Sequence, residues 1–70
     1  MEKIVAEVTA SVWKVLVQRG DQVDPGQSLI ILESMKMEIY IDTEIGGTIV
    51  ELLVAKGDSV AQGQHLVTVE

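Results

Sequence analysis

The chain has no cysteine and no phenylalanine, and only one tryptophan, one tyrosine and one proline. Without thiols there is neither a disulfide framework nor a thiolate metal site, so stability must come from packing and backbone pairing. Five basic residues stand against eleven acidic ones, for a formal net charge of −6. That balance disfavours nucleic acid and anionic membrane surfaces, because phosphates repel an acidic face, and its plain role is solubility. No stretch is long or apolar enough to cross a membrane, and the N-terminus lacks a basic region followed by an apolar run. The expectation is a cytoplasmic chain with no membrane or nucleic-acid partner.

What is present is a 70-residue chain of 47% apolar content, which fits a single domain over residues 1–70 with one small core. A chain of this length supports a net stability of roughly 4 to 10 kcal/mol. It leaves no room for a deep catalytic cleft, and a monomer is expected. The apolar residues are mostly Val, Ile and Leu, and β-branched side chains pack best on a pleated surface. The fold class expected is therefore all-β.

The chain reads as two copies of one motif. Val17–Glu33 (VQRGDQVDPGQSLIILE) lies over Val54–Glu70 (VAKGDSVAQGQHLVTVE), with glycines, acid, valines, the Gly-Gln pair, leucine and closing glutamate in register. Further back, Ile4 falls on Ile41, Glu7 on Glu44, Ser11 on Thr48, Val12 on Ile49 and Leu16 on Leu53. Residues 1–33 and 38–70 are thus the repeats, and only Ser34, Met35, Lys36 and Met37 belong to neither.

Each copy reads as strand, turn and strand, with Arg19-Gly20-Asp21 and Lys56-Gly57-Asp58 marking the turns. Met37, Ile39 and Ile41 alternate with Glu38, Tyr40 and Asp42, a period of two that places one face on a core. By that alternation Met37 reaches the core edge and Met35 stays exposed. In the stretch from Val12 to Val17, Lys14 and its counterpart Glu51 place Trp13, Val15 and Val17 inward and leave Leu16 on the wetter side. No segment carries a helical stripe to rival these alternations. Several short strands at regular spacing suggest a sandwich or flattened barrel, with the two copies packed about a pseudo-two-fold axis. Neither half is expected to fold alone. The junction then forms a hairpin tip at one end, the termini meet at the other, and Lys36 points away from the body. A tight hairpin favours Asn-Gly because primed turns need positive φ, so a primed turn here would hold Met35 and Lys36 in strained angles.

The segment Glu33-Ser34-Met35-Lys36-Met37-Glu38 resembles the attachment motif of the biotinyl domains of biotin-dependent carboxylases and decarboxylases. The repeated Gly-Asp turns are similar to the same family, so the likeness spans essentially the whole chain. The form resembled is the biotin carboxyl carrier domain without a protruding thumb. The resemblance implies a flattened barrel of two four-stranded antiparallel sheets, a barrel-sandwich hybrid, with biotin joined by an amide to the ε-amine of Lys36. It implies a biotin protein ligase as the modifying enzyme, and biotin carboxylase and carboxyltransferase components as the sites between which the cofactor moves. Met35 and Met37 become flanking recognition residues, and the chain itself a carrier and not an enzyme. Free lysine amines titrate near about 10.4, so acylation of such a residue at neutral pH requires an activated donor such as an adenylate. Tethering then raises the effective concentration of the carried group.

Two other readings stand beside this one. A lipoyl carrier domain shares the duplicated barrel and would bear lipoic acid, but normally presents Asp-Lys-Ala in place of Met-Lys-Met. An unmodified interaction barrel, like those of transport adaptors, would need no reactive lysine. Lys3, Lys14 and Lys56 read as solvated surface residues. Arg19-Gly20-Asp21 reads as turn chemistry, since its counterpart is Lys56-Gly57-Asp58. His65, the one histidine, lacks the partners of a metal site and is expected to begin a strand. The carboxylates read as turn and outward-face residues with no nucleophile beside them. The carboxyl acceptor is a property of a partner enzyme and is not written in this chain.

Overall fold

Eight short strands and no helix make up the computed structural model, which describes residues Met1–Glu70. In chain order they are β1 (Glu2–Val5), β2 (Ala10–Val15), β3 (Gln22–Val23), β4 (Ser28–Ser34), β5 (Met37–Asp42), β6 (Gly47–Leu52), β7 (Ser59–Val60) and β8 (His65–Val69). They form two four-stranded sheets in the orders β1-β8-β6-β3 and β5-β4-β2-β7, and every pairing is antiparallel. Exchanging β1, β2, β3 and β4 for β5, β6, β7 and β8 converts one sheet order into the other, which is the pseudo-two-fold relation of the fold. Each sheet draws two strands from residues 1–33 and two from 38–70, so the halves interlock rather than stack.

The pairing register repeats with the order. Ile4 faces Val67 as Ile41 faces Ile30, and Val12 faces Leu32 as Ile49 faces Val69. All eight side chains belong to one buried cluster between the sheets, where Leu29, Leu66 and Val60 join them. Apolar residues on the inner face of each strand meet across the gap, and removing that surface from water is the main favourable term in a fold of this size.

The turns repeat as well. Asp21 accepts a hydrogen bond at Oδ2 from the Gln18 backbone N–H at 2.8 Å, and Asp58 does the same for Ala55 at 2.9 Å. Gly20 and Gly57 hold φ of 96° and 93° between these partners, a region that glycine enters without a Cβ penalty. The Gly-Asp pairs are therefore turn chemistry, with the carboxylate closing the loop that the glycine bends.

Two expectations from alternation do not hold. Trp13 faces outward, 38% exposed, because the β2–β4 register shifts between Val12 and Lys14 and leaves Trp13 as the extra residue of a bulge. A bulge puts two residues of one strand against one of its partner, so the inward-outward alternation restarts after it. Val12 takes the inward place at 2% exposure, Val15 is half-buried and Val17 is buried beyond the strand end. The same shift occurs between Ile49 and Glu51 in β6, with Val50 as the extra residue. Met37 does not reach the core edge either. Exposure falls along β5 from 67% at Met37, through half-buried Ile39, to 4% at Ile41, so the end of the hairpin projects past the packed layers. Leu16 and Leu53, at equivalent positions, are both about half exposed, and nothing in the structure explains either.

Candidate functional site

The hairpin of β4 and β5 carries the segment that the repeats leave out. Ser34 pairs with Met37, so Met35 and Lys36 alone form the connection. Both have positive φ, 53° for Met35 and 66° for Lys36, and they are the only non-glycine residues in the chain that do. Two central residues with positive φ are what a type I′ turn requires, and its twist matches that of the flanking strands. Asn-Gly enters this region readily, whereas Met and Lys each pay a conformational penalty of about 1–2 kcal/mol. The strain sits where the unrepeated residues sit, which is the pattern of a local cost retained for a role beyond folding.

The turn is also open to solvent. Met35 is 92% exposed, and Lys36 and Met37 are exposed beside it. The Lys36 side chain has no hydrogen-bond partner within the chain and lies in no groove of the surface. An amine presented in this way can be reached from outside by a large acyl donor and its enzyme. It also fits the chemistry of an amide-linked prosthetic group, because the attachment needs one accessible amine and no binding cavity. Met35, Lys36 and Met37, separated by alternation in the sequence reading, are thus brought to one apex.

Sequence reasoning set Glu33 and Glu38 at the ends of the motif but did not pair them across the hairpin. Glu33 and Glu38 form the next cross-strand pair, both exposed, and the Tyr40 hydroxyl donates weakly to Glu38 Oε1 at 3.4 Å. The signal was available, since a two-residue turn at Met35-Lys36 forces Glu33 opposite Glu38. The remaining candidates have structural explanations. His65 opens β8, and its Nε2 lies 2.7 Å from Thr68 Oγ1 and 3.1 Å from the Val67 carbonyl oxygen. Thr68 Oγ1 in turn donates to Glu51 Oε1 at 2.9 Å. With a carbonyl acceptor at that distance, Nε2 is the protonated nitrogen and donates. The network ties β6 to β8 on the outer face.

Comparison with known proteins agrees with this geometry. Residues 3–69 match the biotin/lipoyl family model, described as Biotin-requiring enzyme. The biotinylated protein TB7.3 of Mycobacterium tuberculosis is 55% identical over 38 residues, covering 54% of each chain. The biotin/lipoyl attachment protein of Bacillus subtilis is 49% identical over 41 residues, covering 59% of this chain and 56% of its own. The matched segment thus spans about half the length of these curated relatives. Among solved structures, urea carboxylase of Kluyveromyces lactis superposes with a TM-score of 0.91 at 30% identity, over 99% of this chain and 6% of that one. A single-chain, multi-domain long-chain acyl-CoA carboxylase gives 0.88 at 27%, over 94% and 6%. The lipoyl domain of the Azotobacter vinelandii 2-oxoglutarate dehydrogenase complex gives 0.78 at 20%, over 96% and 95%, which speaks to the fold alone.

Proposed function

The chain belongs to the biotin/lipoyl attachment family, and from that premise we propose that it carries biotin as an amide on Lys36 Nζ. An attachment domain of this family is a carrier and not a catalyst, and domains of this fold occur within urea and acyl-CoA carboxylases. The observation that carries the reading is the placement of Lys36: an exposed amine at the apex of a two-residue turn, flanked by two exposed methionines.

Biotin is favoured over lipoate by the Met-Lys-Met sequence, by the name of the mycobacterial relative and by the carboxylase neighbours. When attached, biotin supplies the capacity to accept a carboxyl group in one active site and yield it in another. The contribution of this chain is mechanical. The interlocked sheets act as a rigid handle, the strained turn fixes the root of the arm, and tethering keeps the cofactor at high effective concentration near its partners. The partners under this reading are a biotin protein ligase, which delivers an activated biotinyl group to the amine, and biotin carboxylase and carboxyltransferase components that use it.

Intact-mass analysis after incubation with biotin, ATP and a biotin protein ligase tests the proposal. One biotinyl increment, mapped to Lys36 and lost in Lys36→Arg with the circular dichroism spectrum unchanged, is the expected result. An increment only with a lipoate ligase and lipoate would assign lipoyl carriage instead, and no increment with either would leave an unmodified interaction barrel.

A further inference from the structure

The exposed tip is also where the sulfur of the chain is concentrated. The chain has no cysteine and three methionines. Two of those three flank Lys36, at 92% exposure for Met35 and 67% for Met37. Neither belongs to the buried cluster between the sheets, so neither thioether fills the core. The third, Met1, is also exposed, at 80%, but only Met35 and Met37 lie beside Lys36, where they form part of the surface that anything approaching the amine must meet. Thioethers are also oxidised readily when accessible, and the product sulfoxide is polar and chiral.

We propose that Met35 and Met37 form a reversible oxidation site that gates acylation of Lys36: the thioethers permit loading, and their sulfoxides oppose it. The co-reactant is a peroxide, with hydrogen peroxide the simplest case. A sulfur lone pair attacks one peroxide oxygen, the O–O bond breaks as the S–O bond forms, and water leaves. The thioether loses two electrons and the peroxide gains them. A dithiol-dependent methionine sulfoxide reductase reverses the step, returning the thioether and releasing water as the dithiol becomes a disulfide. The fold itself is insensitive to the change, because both sulfurs lie outside the packed layers. The surface offered to a modifying enzyme changes from apolar to polar on both sides of the amine.

This inference rests on Lys36 being the acylated residue, and the experiment separates the two claims. The full chain is treated with hydrogen peroxide, the excess is removed with catalase, and the added oxygens are mapped by peptide mass. Circular dichroism and the unfolding midpoint are compared with those of the untreated chain, and acylation by biotin protein ligase is followed by intact mass. The expected result is an unchanged fold with initial acylation slowed about tenfold or more, as for loss of a buried apolar contact with the ligase. The two methionine sulfoxide reductases, one for each sulfoxide epimer, together with dithiothreitol then restore the rate. A chain with norleucine in place of every methionine keeps the shape without sulfur, and is expected to be acylated and to be indifferent to peroxide.

Equal acylation rates before and after oxidation would overturn the gate and leave the carrier reading intact. A slowing that the two reductases together do not reverse, or that the norleucine chain shares, would place the damage elsewhere and overturn the gate as well. No acylation of the untreated chain would remove both claims together.

Discussion

Glu33 of β4 and Glu38 of β5 stand directly opposite each other, one residue pair below the turn that presents Lys36. Like charges in that position repel across the ladder, at a cost of a few tenths of a kcal/mol to about 1 kcal/mol. Their placement follows from the turn being centred on Met35-Lys36, since a loop one residue longer or shorter would move one of them out of register.

Replacing Glu38 with lysine should therefore stabilise the domain by roughly 0.5 kcal/mol, which is about 2–4 °C in Tm for a chain of this size. Urea denaturation of Glu38→Lys, Glu33→Gln and the double variant measures the coupling. Strictly additive effects would show that the two carboxylates do not interact.

The turn gives a second expectation. Met35→Asn with Lys36→Gly supplies the residues that positive φ favours, and should raise the unfolding free energy by about 1 kcal/mol while removing the proposed attachment site. Equilibrium denaturation decides the point. A variant no more stable than the parent would mean that the backbone at the apex is not strained.

Gly47 is required for a different reason from the turn glycines. A Cβ added there would run into the Glu70 carbonyl oxygen and lie 3.0 Å from the carbonyl carbon, beside the 2.8 Å hydrogen bond from the Thr48 N–H to that oxygen. Gly47→Ala should cost about 2–3 kcal/mol through this backbone clash. Gly20→Ala, where a Cβ meets nothing within 4 Å but φ is 96°, should cost only about 1 kcal/mol. Reversal of that order in chemical denaturation would contradict the packing described at the β6 entrance.

Cutting the chain at the apex tests the interlocked topology. Since each sheet needs two strands from 1–33 and two from 38–70, either peptide alone lacks partners for half of every sheet and should give a coil-like far-UV spectrum. Sheet signal should return when the two are mixed. A folded half in isolation would mean that its strands can pair among themselves.

Much of this arrangement was legible in the residues. The duplication, the Gly-Asp turns and the β5 alternation all rest on neighbours close in sequence, where turn chemistry and the two-residue period of a strand act directly. The unmatched Ser34–Met37 segment marked the apex, and even its positive φ values follow from asking what a two-residue hairpin demands. Trp13 was not legible, because a bulge is defined by the count of residues on the partner strand and so depends on how β2 meets β4. Met37 was not legible either: alternation says which way a side chain points, and only the extent of the opposing layer says whether anything is there to cover it.

By itself, then, the sequence determined an all-β chain of two matching halves with one odd lysine between them, since local backbone preference and periodicity need no distant contact. The tertiary structure decided which strands share a sheet, where the bulges restart the alternation, and that the apex of the β4–β5 hairpin clears the body with both thioethers in solvent. Those features depend on pairing and packing between residues far apart in the chain, and are fixed only when the two halves close around a common core.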